Sequence, residues 1–185
     1  MIRKANTEDR FEIAELTYMI WQDMGLEIVQ KNDKSQVINA IERSQIDVHY
    51  RNHLSHIWVY EKNQRVAGMI VVYYGDKEYE YEQQWRHLEL EDSMVLQEET
   101  PLPIMEANKG DMYIESVATF PEFRGQGIAT ELMQHILKSD HPTKWGLNCD
   151  VENQKAFALY QKLGFTVQES KMLYGHEYYY MIYHN

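Results

Sequence analysis

The segment Pro121-Glu122-Phe123-Arg124-Gly125-Gln126-Gly127-Ile128-Ala129-Thr130 has the make-up of a turn that grips an anion. Glycines at 125 and 127 let the backbone bend tightly with no Cβ penalty. A helix starting directly after them has its first amides unpaired and the positive end of its dipole pointing outward. Together these suit a pyrophosphate. On their own, two glycines ahead of a helix also read as a plain strand-to-helix connection, and the pattern is neither a P-loop nor the longer nucleotide fingerprint. Downstream, Asn153 and Tyr160 lie seven residues apart, two helical turns, so both leave one face. Asn153 alone reads as a helix cap, and Tyr160 alone as an amphipathic core tyrosine. Upstream, Glu115 stands two residues before Val117, so on a strand their side chains share a face. That makes Glu115 a candidate base, with a solvent-facing or salt-bridged strand residue as the alternative.

These residues need strands and helices to hold them. Met112 to Thr119 reads as a strand, Gly127 to Lys138 as a helix, Trp145 to Val151 as a strand and Asn153 to Leu163 as a helix ended by Gly164. Phe165 to Val167 and Tyr178 to Tyr183 read as two last strands. Before the turn, Met1 to Ala5 is a short strand, and Asn6 or Thr7 caps a helix running to about Met24, with Ile13, Leu16 and Ile20 at helical spacing. A second amphipathic stretch starts near Asp33 and carries Val37, Ile38, Ile41 and Ile46. Ile57 to Tyr60 and Val66 to Tyr74 form a hairpin across Glu61-Lys62-Asn63-Gln64. The polar stretch from Gly75 to Gly110, with Pro101 and Pro103, reads as partly helical around Tyr79 to Leu90 or as a disordered loop.

The 185 residues suit one domain, and a 44% hydrophobic content can build its core. The formal charge of −11, from 18 bases and 29 acids, argues against a phosphate-backbone partner such as nucleic acid. No apolar run reaches the roughly 18 residues of a membrane span. A single cysteine, Cys149, forms no internal disulfide and fits a reducing compartment, so a cytoplasmic location is expected. His49, His53 and His56, spaced four and three apart, would share a helix face, but no carboxylate or cysteine completes a cluster at matching spacing, so no metal is expected.

Arg124-Gly125-Gln126-Gly127-Ile128-Ala129 resembles the pattern Arg/Gln-x-x-Gly-x-Gly/Ala of the GNAT acetyltransferase superfamily, with Pro121 and Phe123 in the usual places before it. Val117-Ala118-Thr119 is similar to the end of that family's fourth strand, with Thr119 where valine is commoner. The run from Asn153 to Phe165 resembles its second motif. The resemblance implies an α+β fold: about six or seven mostly antiparallel, twisted strands flanked by about four helices, in one domain over residues 1–185. It implies acetyl-CoA as cosubstrate, with the backbone of Val117, Ala118 and Thr119 on the pantetheine arm. The amides of Gly125, Gln126, Gly127, Ile128, Ala129 and Thr130 would hold the pyrophosphate, Arg124 would belong to the same cofactor-binding turn, and Asn153 would touch the cofactor arm. Tyr160 is then the candidate general acid for the leaving thiolate and Glu115 the candidate base, in direct transfer through a ternary complex. Cys149 as a covalent acyl carrier is a lesser reading, since buried cysteines commonly act as small hydrophobes. A noncatalytic acyl-CoA-binding or regulatory domain is the rival.

An acidic insertion spans about 76–108, where ten acids face two bases. Two readings stay open. It draws in a cationic amine, small molecule or peptide, by its field. Alternatively it is a solvated surface, or a homodimer contact through Tyr79, Tyr81 and Trp85.

Overall fold

In a computed structural model, residues 1–90, 99–138 and 143–185 are described. The chain enters through β1 (Ile2–Lys4) and turns at Asn6, whose side chain accepts from Glu8 N at 2.8 Å while its own amide donates to Asp9 at 2.8 Å. This reciprocal cap launches α1 (Arg10–Asp23) through a single 3-10 turn. Two further helices follow, α2 (Glu27–Lys31) and α3 (Lys34–Ser44). Val37, Ile38 and Ile41 are buried on α3, whereas Ile46 lies beyond its end and is exposed.

β2 (Ile57–Lys62) and β3 (Arg65–Tyr74) form the expected hairpin, with both central residues, Asn63 and Gln64, at positive φ. That geometry matches the right-handed twist of the strands it joins. α4 (Glu78–Gln83), β4 (Met112–Thr119), α5 (Ile128–Leu137), β5 (Lys144–Asp150), α6 (Gln154–Lys162), β6 (Thr166–Leu173) and β7 (His176–His184) complete the order. The last hairpin is longer at both strands than its apolar residues suggest, because backbone pairing carries β6 through a largely exposed run.

The seven strands form one sheet in the order β1-β2-β3-β4-β5-β7-β6, antiparallel except between β4 and β5. Six helices are present among the described residues; α2 and α4 are short. One apolar cluster lies against the sheet and takes in Leu16, Ile70, Leu132 and Tyr180. A second joins α1 and α3 to the acidic segment through Trp21, Tyr50, Trp85 and Leu102. No described helix is long and apolar enough to cross a membrane.

The acidic segment is partly helical close to where the sequence reading placed a helix, but several of its acids are buried and not solvated. Its described part holds α4 and a 3-10 turn, and Glu78, Glu82, Trp85, Leu102 and Glu106 are buried. Trp85 is fully buried inside this same chain, edge-on to Trp21 and Tyr50, so it offers nothing to a second copy. Tyr79 is exposed. Residues 91–98 of this segment lie outside the described residues.

Candidate active site

β4 and β5 run in parallel but pair only over Met112–Ile114 and Trp145–Leu147. Beyond that point β4 keeps β3 as its partner and β5 keeps β7, so the two strands part. From Glu115 onward, the side of β4 facing β5 has no strand against it. A cavity of about 610 Å³ opens there, lined on one side by Glu115 and Val117 and on the other by Asn153 and Tyr160. The bulge in the β3–β4 ladder falls at Glu115. Ser116 sits opposite Val71 and Ile114 opposite Val72, leaving Glu115 with no cross-strand residue. An extra residue of this kind re-aims a side chain.

Ala118 and Thr119 continue β4 outward, and a 3-10 turn over Pro121–Phe123 carries the chain to the glycines. Gly125 and Gly127 both have positive φ, +75° and +81°, and a Cβ at either would meet nothing within 4 Å. The space over the turn is therefore open, and the glycines are there for the backbone path. Gly127 caps α5, whose first bond runs from Glu131 N to Gly127 O, so the amides of Ile128, Ala129 and Thr130 have no acceptor within the helix. The Ile128 side chain itself is buried in the core. Exposed Arg124 folds back to donate to Thr119 O at 3.2 Å, and Lys62 at the end of β2 reaches Gln126 at 2.5 Å. An open cradle of amides with cations beside it fits a diphosphate. The arrangement of turn, unzipped strand and adjacent cavity fits coenzyme A.

On the opposite wall, Asn153 caps α6 by accepting from Ala156 N at 3.1 Å, so its Oδ1 is already in use. Tyr160 lines the cavity, and burial raises its phenol above the ordinary value, with Cys149 nearby as a smaller cause. Cys149 also faces the cavity, and burial pushes its thiol up to about 11.

The inner end of the cavity holds a group that spacing did not reveal. Arg51, fully buried in the loop after α3, donates from Nη1 to Glu78 at 2.9 Å and from Nη2 to Leu102 O at 2.7 Å. Its Nε lies 2.6 Å from Glu82. Glu106 and Glu115 each stand 3.8 Å from the same Nη1. Tyr113 donates to Glu106 Oε2 at 2.8 Å, and Asn148 donates to the Tyr113 hydroxyl and the Glu106 carbonyl, both at 3.1 Å. Burial pushes Glu106 up to about 7, with Arg51 pulling the other way. Burial likewise raises Glu115 well above the usual carboxylate range, again opposed by Arg51, and Glu106 adds to the rise. Glu106, Asn148, Tyr113 and Tyr50 all line the cavity. For Glu106 the sequence signal was acidity in the segment after β3, which reads equally as a solvated face; Tyr50, Tyr113 and Asn148 carried none.

The three histidines do come together, though not on a helix. His56 Nε2 lies 3.1 Å from His49 Nε2, His49 stacks on His53 at 4.4 Å, and His56 Nδ1 is 2.8 Å from Arg51 O. His56 is buried, and that burial lowers its pKa to about 4. Among the described residues no group of three or more His, Cys, Asp or Glu has the geometry to hold a metal ion.

The family model described as "Acetyltransferase (GNAT) family" matches residues 15–165. An N-acetyltransferase from Staphylococcus aureus Mu50 is 46% identical, with a TM-score of 0.95 over 99% of this chain and 100% of that one. The PaiA N-acetyltransferase from Thermoplasma acidophilum, solved in complex with coenzyme A, has a TM-score of 0.57 over 100% of this chain and 98% of that one. Its 16% identity makes this a likeness of fold. N-alpha-acetyltransferase 30 of Schizosaccharomyces pombe is 39% identical over 56 residues, which are 29% of this chain and 37% of that protein's length.

Proposed function

This chain belongs to the acetyltransferase (GNAT) family, and from that premise we propose that it moves an acetyl group from acetyl-CoA to the primary amine of a cationic acceptor, directly, in a ternary complex. Acetyl-CoA, when bound, supplies the acyl thioester. The amides from Gly125 to Thr130 hold its diphosphate, with the Arg124 side chain beside them, and the unzipped side of β4 at Val117, Ala118 and Thr119 orients its arm and offers amides to the carbonyl oxygen. Asn153 keeps the first turn of α6 in place, and its amide NH2 is the part left to meet the arm. Tyr160, which keeps its phenolic proton at neutral pH, gives that proton to the leaving thiolate. Glu115, aimed by its bulge into the same cavity, forms with Glu106 the carboxylate pair that takes the proton of the acceptor's ammonium. Holding both partners in one cavity removes much of the entropic barrier. Direct transfer is favoured over an acyl-enzyme because the Cys149 thiol is pushed away from the thiolate form that a covalent carrier needs.

The observation that carries this reading is the parting of β4 and β5 between the glycine turn and Tyr160. The cationic acceptor is supported by the cavity's charge. Asp23, Glu106, Glu115, Asp150 and Glu152 line it, and the Arg51 cation beside them lies behind the lining and is outnumbered by them.

A free-thiol assay of the purified protein with acetyl-CoA tests both parts. The panel comprises spermidine, lysine methyl ester and an aminoglycoside against glutamate and a neutral arylamine. Thiol release with the cationic amines is expected. Binding of acetyl-CoA without turnover of any amine would favour a noncatalytic acyl-CoA-binding domain, and preference for the anionic or neutral amines would remove the cationic acceptor.

A further inference from the structure

The charges around Arg51 do not balance if every carboxylate is ionised. One guanidinium faces Glu78, Glu82, Glu106 and Glu115; the first three are buried, and Glu115 keeps 11% of its side-chain surface exposed and lines the cavity. Hydrogen-bond donors separate these four acids into two kinds. Glu78 accepts from Arg51, from Glu106 N and from Ala107 N. Glu82 accepts from Leu102 N at 2.8 Å and lies against Arg51 Nε. These two already exceed the arginine's single charge, with Glu78 held by three donors and Glu82 by the Leu102 amide and its ion pair with Arg51. Glu106 has one donor, the Tyr113 hydroxyl, while its Oε1 is buried with no hydrogen-bond partner. Among the described residues no hydrogen bond reaches the Glu115 carboxylate at all; Arg51 at 3.8 Å is its nearest charge.

Two further carboxylates beside a cation that its first two partners already outweigh hold each other's charged form back, the more so where Glu106 is buried. Like charges at close range disfavour each other's ionised form. The remaining groups that face them do not change that. Tyr50 from the loop after α3, Tyr73 on β3 and Tyr113 on β4 are buried phenols. Lys171 on β6 places its ammonium 2.8 Å from the Glu106 carbonyl oxygen, where it offsets part of the excess without bonding the carboxylate. Tyr174 and Tyr178 approach Glu106 from the last hairpin as neutral side chains.

We propose that Glu106 and Glu115 hold a single proton between them at neutral pH and that Glu106, through its unpartnered Oε1, is the atom that receives the acceptor's proton. The proposal deepens the acetyltransferase reading and rests on it for its second half. In the resting site one member is a carboxylate and the other a carboxylic acid. The entering ammonium passes one proton to Glu106, which leaves both acids neutral and the amine free to attack. The C–N bond forms and the C–S bond of the thioester breaks. Sulfur takes the proton of Tyr160, and the second proton shed by the nitrogen restores Tyr160. The proton on Glu106 returns to water once the product leaves. The buried neighbour makes Glu106 a better proton store than an exposed glutamate, and Tyr113 with Asn148 fixes its orientation.

The test is carbon NMR of protein labelled at the glutamate side-chain carboxyl, followed through a pH titration. It needs neither acceptor nor acetyl-CoA, so its outcome is separate from that of the thiol assay. Glu106 and Glu115 are expected to titrate in two coupled steps separated by more than about one pH unit. Glu106→Gln should collapse the Glu115 titration to one step at lower pH, and Glu115→Gln should do the same to Glu106. Independent single steps near the ordinary value of about 4.3 in the unaltered protein would overturn the shared proton, whether or not either variant folds. With the fastest amine of the panel, Glu106→Gln should lower kcat/KM by roughly 10²-fold and move the acidic limb of its pH profile. An unchanged limb and rate would overturn the assignment to Glu106.

Discussion

The two ends of the cavity are built by different means. At the outer end the groups that would meet a diphosphate are main-chain amides, placed by two glycines at positive φ and the start of α5. At the inner end the groups are side chains: Arg51 from one loop, Glu78 and Glu82 from α4, Glu106 from the segment before β4, and Glu115 and Tyr113 from β4 itself. A backbone site is specified by consecutive residues and so leaves a local pattern. A side-chain site is specified by the fold, which brings distant residues together and leaves no spacing to read. The outer end can be exposed because a diphosphate meets several aligned amides and the positive end of a helix at once. The inner end must be dry, since only low dielectric makes four acids and one base interact strongly.

The contrast predicts unequal costs. Arg51→Ala leaves Glu78 and Glu82 buried without their cation and should cost about 3–5 kcal/mol in denaturant unfolding. Arg124→Ala, on the exposed turn, should change stability by less than about 0.5 kcal/mol. Similar losses for the two arginines would erase the distinction drawn between the ends.

Tyr160→Phe addresses the wall between them. It should lower kcat by roughly 10²-fold while leaving coenzyme A affinity in place, because the phenol acts only as the thioester opens. Unchanged turnover would hand the proton to water.

A smaller effect concerns the glycines. Gly127→Ala places a Cβ on a residue at φ +81° and should cost about 1–2 kcal/mol of stability, with weaker coenzyme A binding as the more telling loss. The space around that position is open, so any penalty is conformational and not a clash.

The smallest effect is in pH. A glutamate held near 7 in the folded state and near 4.5 in the unfolded chain binds its proton more tightly when folded. Its contribution is therefore full below the unfolded value and is lost as pH rises through about 7. His56, lowered to about 4, acts oppositely: its contribution is present above 6.5 and lost as pH falls toward 4. The difference between wild type and Glu106→Gln isolates the first term. It should change by on the order of 1 kcal/mol between about pH 8 and pH 5, read as denaturation midpoints, with wild type gaining on the variant as pH falls. A difference that is flat across that range would place Glu106 among ordinary surface acids.

How much of this was legible follows from the same contrast. β4, α5, β5 and α6 were readable almost to the residue, because apolar periodicity and the glycines at 127 and 164 mark their bounds. Asn153 was readable both as a cap and as part of a motif, and it is a cap. Glu115 was readable as a strand residue beside Val117, but not the bulge at its position, which depends on β3 as a partner. The segment after β3 was the least readable. Its polar, acidic composition read as part helix or loop and as a solvated surface or dimer contact, whereas Glu78, Glu82 and Trp85 are buried against Arg51 and the α1–α3 cluster. The histidines carried helical spacing but lie around a 3-10 turn, where sequence neighbours meet by a different path.

The most direct measurement is a calorimetric titration of coenzyme A into the purified chain and into Gly127→Val. Saturable binding to the unaltered protein, with most of the heat lost in the variant, is what a main-chain diphosphate grip requires. No measurable heat from the unaltered protein under conditions where it is folded would contradict the whole reading of the site.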